Sequence, residues 1–505
     1  MLVVTADTMR EMDRRAMAEG GMPGIALMEN AGAAAAEAAT RMLGRKSGAL
    51  VHVICGPGNN GGDGFCAARR LAVAGHNVTL ELTADPDRLR GDALIQYRAL
   101  AASTARIARP TRTPDLVLDC VLGTGATGAP HGAAAEAIEA MAAWGAPILA
   151  VDLPSGLDAT SGSAPGPAVR ASRTVTFGAM KLGMLLGCGP DLCGAVDVNP
   201  IGCDWAGYGA GSPYSLVDQE VAARCWPPRS RTAHKGSFGH VIVLGGSAGM
   251  LGAPILAGHA ALRSGAGLVT VGTPAAGAAS VIGACPALMA APLPDADGSL
   301  DEHAAEAIDD RHSAIALGPG LGRSEAAERL VRVVVTTAGA PLVLDADGLY
   351  ALGRSPQPRP ARPCAMTPHH GEAARLLGAT AEAVAADPLT AVRAVATLYR
   401  VVALLKGGPT LVCDGRATDG EAPVAIVNTG TPALATAGTG DVLTGIVASL
   451  LARGCDPWDA ARAAAWAHGT AGRRAAKRLG SEGVTAPDVI DRLTETLARL
   501  ERMEA

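Results

Sequence analysis

The feature that most constrains this chain is a repeated alternation: short apolar runs, several of them apolar throughout, separated by longer stretches with helical spacing. In the first part the runs are Leu50–Cys55, Val78–Leu82, Leu116–Val121, Ile148–Leu153 and Arg173–Phe177, preceded by helical patterns at Ala6–Ala18 and Ala31–Met42. In the later part they are His240–Leu244, Leu268–Gly272, Ala314–Leu317, Leu342–Asp345 and Val401–Leu405, with helices such as Val442–Arg453 and Pro457–Leu479 around them. Strands separated by about 10–25 residues of helical pattern need crossover connections, which build parallel sheets. Runs that are apolar throughout, rather than alternating, belong to strands covered on both faces. The expected class is therefore α/β in both parts.

At 505 residues the chain exceeds the size of a single hydrophobic core, so at least two domains are expected. The alternation lapses between Gly202 and Lys235, where CDWAGYGAGSP and CWPPRSRTAHK are rich in Gly, Pro and polar residues. We place the boundary near Gly211, giving domains 1–211 and 212–505. The net charge of −5, the absence of a long basic run and the 3% aromatic content exclude nucleic acid as a main partner. The eleven cysteines are scattered, and no CxxC occurs; buried free thiols in a reducing compartment are expected rather than a disulfide or metal framework. The N-terminal MLVVTADTMREMDRR carries acidic residues where a signal peptide needs an apolar stretch. No run approaches the ~20 apolar residues of a membrane span. A cytoplasmic enzyme without membrane contact is the expected class.

Three strand ends in the first part carry polar side chains. After HVIC comes Gly56-Pro-Gly58-Asn59-Asn60-Gly61-Gly62-Asp63-Gly64, which formally contains G-x-G-x-x-G between a strand and a helix. A phosphate cradle needs bare backbone N–H groups. Asn59, Asn60 and Asp63 instead offer side-chain oxygens and amides to a ligand or cation; Asx-turns are the alternative. LVLDCVLGTGATG places Asp119 at a strand end before Gly123-Thr124-Gly125, and ILAVDLPSGLDATSG does the same with Asp152, Ser155 and Asp158. Each Asp taken singly could be a helix cap. Ligands of open parallel sheets bind beyond the carboxyl ends of the strands, so three such ends should converge on one crevice.

In the later part, ATAGTGDVLTGIVASLLARG puts Gly438-Thr439-Gly440-Asp441 directly before an apolar helix. Free N–H groups and the positive dipole end there favour a phosphate. A carboxylate at that turn suits the acceptance of a proton from a hydroxyl attacking a phosphoryl group; a plain N-cap is the alternative. In VVALLKGGPTLV, Lys406 ends a strand, and Gly407, Gly408 and Thr410 follow. Lys406 could reach a nucleotide phosphate or remain a solvated strand-end lysine. The spacing of a Walker P-loop is missing.

GNNGGDG, DCVLGTG and DLPSGLD, preceded by LMENAG, resemble the NAD(P)H-hydrate epimerase family over residues 1–210. The resemblance implies a Rossmann-like three-layer domain. It also implies that Asn59, Asn60, Gly61, Gly62 and Asp63, with the loop Gly123, Thr124, Gly125, Ala126, Thr127, Gly128 and Ala129, contact the hydrated nucleotide. Asp152 would be the catalytic acid or base beside the reacting ring, and Asn60, Asp119 and Ser155 would hold a potassium ion. Neutral oxygens with one carboxylate suit such a hard cation. The G-x-G-D turn of the later part resembles the ribokinase-like superfamily. With VIVLGGSAGMLGAPILAGHAALRSGAGLVTV, ALGPGLG, LVLDADGL and MTPHHGEAARLLG it resembles the ADP-dependent NAD(P)H-hydrate dehydratase over about Ser215–Leu493. By that resemblance Ala253, Gly320, His369 and Asp441 contact the hydrated substrate, Lys406, Gly407, Gly408, Pro409, Thr410 and Gly440 contact the adenine nucleotide, and a magnesium ion accompanies ADP. His369 read alone could be an ordinary loop histidine. Three positions depart from the family pattern: Ser172 where Asp is common, Ala287 where Glu is common, and His370 where Pro is usual.

The expected substrates are hydrated NADH and NADPH with ADP, and a homo-oligomer is expected. The expected chemistry is epimerisation at C6 in the first domain. In the second, Asp441 deprotonates the C6 hydroxyl, ADP phosphorylates it, and phosphate leaves. Two other classes remain: a ribokinase-like small-molecule kinase fused to a dinucleotide-binding module, and an enzyme whose first domain is a non-catalytic scaffold.

Overall fold

The computed structural model describes residues 1–353, 359–416 and 420–504, and the chain divides into two compact units, Met1–Tyr214 and Ser215–Ala505. In the first unit seven parallel strands form one sheet: β1 (Leu50–Cys55), β2 (Asn77–Leu82), β3 (Arg106–Ile107), β4 (Leu116–Cys120), β5 (Ile148–Val151), β6 (Arg173–Phe177) and β7 (Ala195–Asn199), in the order β3-β2-β1-β4-β5-β6-β7. The order reverses between β1 and β4, the switch point at which open sheets of this kind leave a crevice.

Side chains alternate across the sheet because the strand period is two. Val51, Val53, Leu118 and Leu149 join one buried cluster, while Ile54, Val117, Ile148 and Ala150 join another on the opposite face. Each fully buried aliphatic side chain contributes roughly 1.5–3 kcal/mol. This double coverage is why several of the runs read as apolar throughout. The helix Asn59–Val73 begins six residues before Phe65, where the sequence placed it, so Asn59, Asn60 and Asp63 lie in its first turns rather than in a loop. That close start depends on Gly61, where a Cβ would stand 1.9 Å from the Gly56 carbonyl oxygen.

The second unit carries β8 (His240–Leu244), β9 (Leu268–Pro274), β10 (Met289–Leu293), β11 (Ala314–Leu317), β12 (Leu342–Leu344), β13 (Cys364–Met366), β14 (Val402–Leu405), β15 (Thr410–Asp414) and β16 (Val424–Val427). They run in the order β10-β9-β8-β11-β12-β13-β14-β15-β16, parallel through β14 and antiparallel from there. The strands β10, β13, β15 and β16 were not anticipated from the sequence. The helix Thr439–Ala452 is buried along almost its whole length and packs on the helix Gly252–Arg263. All eleven cysteines are free; six are buried and Cys188 is exposed. No helix among the described residues is long and apolar enough to cross a membrane.

Candidate active sites

In the first unit the ends of β1, β4 and β5 meet at the switch point. Asp119, fully buried at the tip of β4, accepts hydrogen bonds from the Ser155 N–H (2.7 Å), the Ser155 hydroxyl (2.6 Å) and the Val121 N–H (3.2 Å). Burial pushes its carboxyl up to about 6 against these bonds. The Asn60 amide donates to the Leu122 carbonyl (2.9 Å), which leaves Asn60 Oδ1 buried without a partner. Asp119, Ser155 and this orphaned oxygen form a donor set of hard oxygens, as a potassium ion requires. Among the described residues no group of three or more His, Cys, Asp or Glu side chains forms a metal cage.

In front of this set lies a cavity of about 570 Å³ lined by Asn59, Asn60, Asp63, Gly123, Asp152 and Lys181, among others. Asp152 has φ 65°, a strained value for a residue with a side chain. Such strain costs roughly 1–3 kcal/mol and gathers at functional sites. Its carboxylate accepts from Lys181 Nζ at 2.7 Å and from the Thr124 hydroxyl and N–H. Lys181, only 1% exposed, also donates to Thr176 Oγ1 and the Phe177 carbonyl, each at 2.8 Å. Burial pushes the Asp152 carboxyl up, but the Lys181 ammonium and the Thr124 donors outweigh it and hold it below the usual carboxylate range. For Asp63 burial dominates, the charges of Asp152 and Asp13 add to it, and the carboxyl is raised well above that range.

Thr124, Gly125 and Ala126 also line the cavity, whereas Thr127, Gly128 and Ala129 do not. Gly61 and Gly62 sit in the helix with backbone or Met28 within 2.6 Å of any added Cβ, so they set the approach of the helix rather than the lining. Sequence reasoning missed Lys181 and Asp13. A lysine inside the apolar stretch FGAMKLGMLLG was a legible signal for the first. Asp13 sits amid the charges of MREMDRR and gave none.

In the second unit the candidate side chains gather from strand tips and the start of the helix Thr439–Ala452. Asp345, beyond β12, is 1% exposed; its carboxylate accepts from Lys406 Nζ (2.7 Å) and the Thr444 hydroxyl (2.6 Å). Lys406, beyond β14, is also 3.8 Å from Glu372. A Cβ at Gly440 would stand 3.4 Å from Lys406 Nζ, which places the lysine at the Gly438–Asp441 turn. Gly438 needs its left-handed φ of 85° to start the helix there. Burial, then the Asp345 charge, push the Asp441 carboxyl up to about 7, with Lys406 only partly opposing.

His369 caps the helix His370–Leu377: its Nδ1 accepts from the Gly371 and Glu372 N–H groups (3.0 and 3.2 Å), and Glu372 accepts in return from the His369 N–H. With Nδ1 an acceptor, the ring proton lies on Nε2. The same histidine lines a cavity of about 230 Å³ with Arg323, Tyr350, Glu372 and Arg375. Ala253 and Gly320 meet at the β8/β11 switch point, where a Cβ at Gly320 would lie 3.2 Å from that of Ala253. Gly407 and Gly408 are exposed beyond β14, and the Thr410 hydroxyl donates to the Gly407 carbonyl (3.3 Å). Pro409 joins Gly408 through a cis bond. Asp345, Asp347, Glu372 and Thr444 were not singled out from the sequence.

A family model described as NAD(P)H-hydrate dehydratase matches residues 241–495, and one described as YjeF-related protein N-terminus matches residues 24–183. The bifunctional NAD(P)H-hydrate repair enzyme of Moorella thermoacetica is 37% identical, over 99% of this chain and 97% of its own. That of Salinibacter ruber is 38% identical over 98% and 96%. The chain belongs to the bifunctional NAD(P)H-hydrate repair family. A solved structure of the Bacillus subtilis ADP/ATP-dependent NAD(P)H-hydrate dehydratase, co-crystallised with ATP and Mg2+, covers 57% of this chain and 99% of its own, with 31% identity and a TM-score of 0.51. Membership in the repair family accounts for two separate strand-tip sites in one polypeptide.

Proposed function

We propose that the protein repairs hydrated NADH and NADPH: the first unit interconverts the R and S epimers at C6, and the second dehydrates the S form with ADP, releasing AMP and phosphate. The observation that carries this reading is that relatives named as bifunctional repair enzymes align across both units, each of which holds a strand-tip carboxyl beside a lysine.

In the second unit hydroxide is too poor a leaving group for rapid loss of water. Asp441, with its affinity for protons raised to near neutrality, takes the proton of the C6 hydroxyl as that oxygen attacks the terminal phosphorus of ADP. The bond from that phosphorus to the bridging oxygen breaks and AMP leaves. Phosphate then departs from C6 with its electron pair, a proton leaves C5, and the ring double bond is restored. Lys406, Gly440 and the loop from Gly407 through Pro409 to Thr410 hold the nucleotide phosphates, while Ala253, Gly320 and His369 bound the ring. A magnesium ion accompanying ADP would screen the charge of its phosphates. Asp345 is committed to Lys406 and Thr444, and Asp347 to the Gly322 N–H and Arg323.

In the first unit Asp152 is the proton acceptor, and Asn59, Asn60, Asp63 and the Gly123–Ala126 loop contact the substrate. Potassium would be held by Asn60, Asp119 and Ser155, and its charge would offset the buried carboxylate beneath the loop. The first unit should therefore unfold at a higher temperature in potassium than in N-methylglucamine salts, whatever its activity.

The reading is tested with a mixed-epimer hydrate supplied with ADP, ATP or no nucleotide, following the near-ultraviolet absorbance of the reduced ring. The unaltered protein should convert the whole pool with ADP. Asp152→Asn should convert only the S portion quickly, and Asp441→Asn should convert neither. Accumulation of a stable phosphorylated product would identify a kinase instead.

A further inference from the structure

The helix Ala6–Ala18 contributes Met9, Asp13 and Met17 to the first cavity. Met9, Met12 and Ala16 are its buried residues, and with Asp13 they occupy positions i, i+3, i+4 and i+7, the stripe that an amphipathic helix reserves for apolar side chains. A half-buried carboxyl therefore stands on the apolar stripe and faces the cavity. The helix's other acidic residues are paired at the surface, Asp7 with Arg10 and Glu11 with Arg14. Asp13 has no hydrogen bond or ion pair among the described residues. Neither has Asp63, 8% exposed and lining the same cavity. Both carboxyls thus open into the cavity with no protein partner for their charge.

We propose that Asp13 is a second proton-transfer group of the first cavity, forming an acid–base couple with Asp152 across the hydrated nicotinamide ring. This deepens the epimerase reading above and rests on it. Water added across the C5–C6 double bond leaves a hydroxyl on the carbon attached to ring nitrogen N1, and such a centre inverts by opening and reclosing. Asp152 takes the hydroxyl proton, a C6–O double bond forms, and the C6–N1 bond breaks with its electron pair moving to N1. Asp13 delivers its proton to N1. Rotation about C5–C6 presents the other face of the aldehyde, and the same two transfers in reverse close the ring as the opposite epimer. No co-reactant is consumed, and both carboxyls end as they began.

The surroundings suit the division of labour. Burial raises Asp13 to about 6, with the charge of Asp152 adding and that of Lys181 opposing, while Lys181 and Thr124 keep Asp152 ionised. Burial, with the charges of Asp152 and Asp13 adding, holds the Asp63 carboxyl well above the usual carboxylate range. Arg10 and Asp92 are the other charged groups lining the cavity. Two carboxyls whose environments push them apart are the usual arrangement of an acid and a base in one site.

The test is the rate of epimerisation of a single C6 epimer across pH, with ADP-dependent dehydration of the S epimer by the same chain as a check on folding. Asp13→Asn should lower kcat by about 100-fold or more, with KM little changed, and should lose the alkaline limb of the pH profile. Asp13→Glu should keep that limb and at least about a tenth of the rate, and it supplies the test if Asp13→Asn unfolds the first unit. Epimerisation by Asp13→Asn at the unaltered rate, or Asp13→Glu without the limb, overturns the role of Asp13 and leaves the epimerase reading standing. That reading itself falls if the unaltered protein does not epimerise the hydrate.

Discussion

Each site pairs a strand-tip aspartate with a lysine, yet only in the first is that aspartate the candidate base. In the first unit Lys181 bonds directly to the candidate base, Asp152, and keeps it ionised. In the second, Lys406 bonds to Asp345; burial first, then the Asp345 charge, raise the candidate base Asp441 to about 7, and Lys406 opposes them only in part. The difference teaches that, for carboxyls that burial pushes up alike, direct bonding to the cation separates the one held ionised from the one raised toward neutrality. An ionised Asp152 can take a hydroxyl proton at once. A carboxyl poised near neutrality binds that proton more firmly, as phosphoryl transfer needs.

The largest expected effect is the removal of the poised base. Asp441→Asn should lower kcat for ADP-dependent dehydration by about 1,000-fold while leaving epimerisation intact, measured on separated epimers. A comparable loss in both reactions would break the contrast between the sites. Next, Lys181→Met strips Asp152 of its ion-pair partner. Breaking a buried pair in this way should destabilise the first unit by about 3 kcal/mol, read from its denaturant midpoint. Asp345→Asn removes a like charge and frees Lys406 for Asp441, so Asp441 should bind its proton less tightly. The acid limb of the dehydration kcat/KM profile should then move down by about one pH unit.

The smallest effect is on stability. The Asp441 carboxyl binds its proton more tightly in the folded state, so the folded protein loses stability as pH rises from about 4 through about 7. Asn mimics the protonated form. Asp441→Asn should therefore stabilise the second unit by about 1 kcal/mol above pH 7 and by nothing below pH 4, since partial solvent contact discounts the full shift. A gain that persists at acid pH would mean that burial of the charge is not its source.

Much of this architecture was legible in the sequence. The run Leu50–Cys55 coincides with β1, Arg173–Phe177 with β6 and Ala314–Leu317 with β11, because β-branched and aliphatic residues dominate these buried strands and their flanks break the pattern. The strand at Thr410–Asp414 was missed because Thr, Cys and Asp punctuate it and its hairpin partner lies at Val424–Val427. At the sites, Asp119, Asp152, Lys406 and Asp441 stood out beside glycine turns. Lys181 and Asp345 acquire meaning only when a partner 29 or 61 residues away is brought within hydrogen-bond reach.

What the amino-acid order determined by itself is local: the period of apolar residues, the glycine turns at strand tips, and thus two parallel α/β units with carboxyls at their crevices. What only the tertiary structure decided is the state of those carboxyls. Coulomb interaction and desolvation depend on distance and burial in space, so whether a lysine steadies Asp152, bypasses Asp441 or leaves Asp13 unpaired is set by packing and cannot be written in any short stretch of chain.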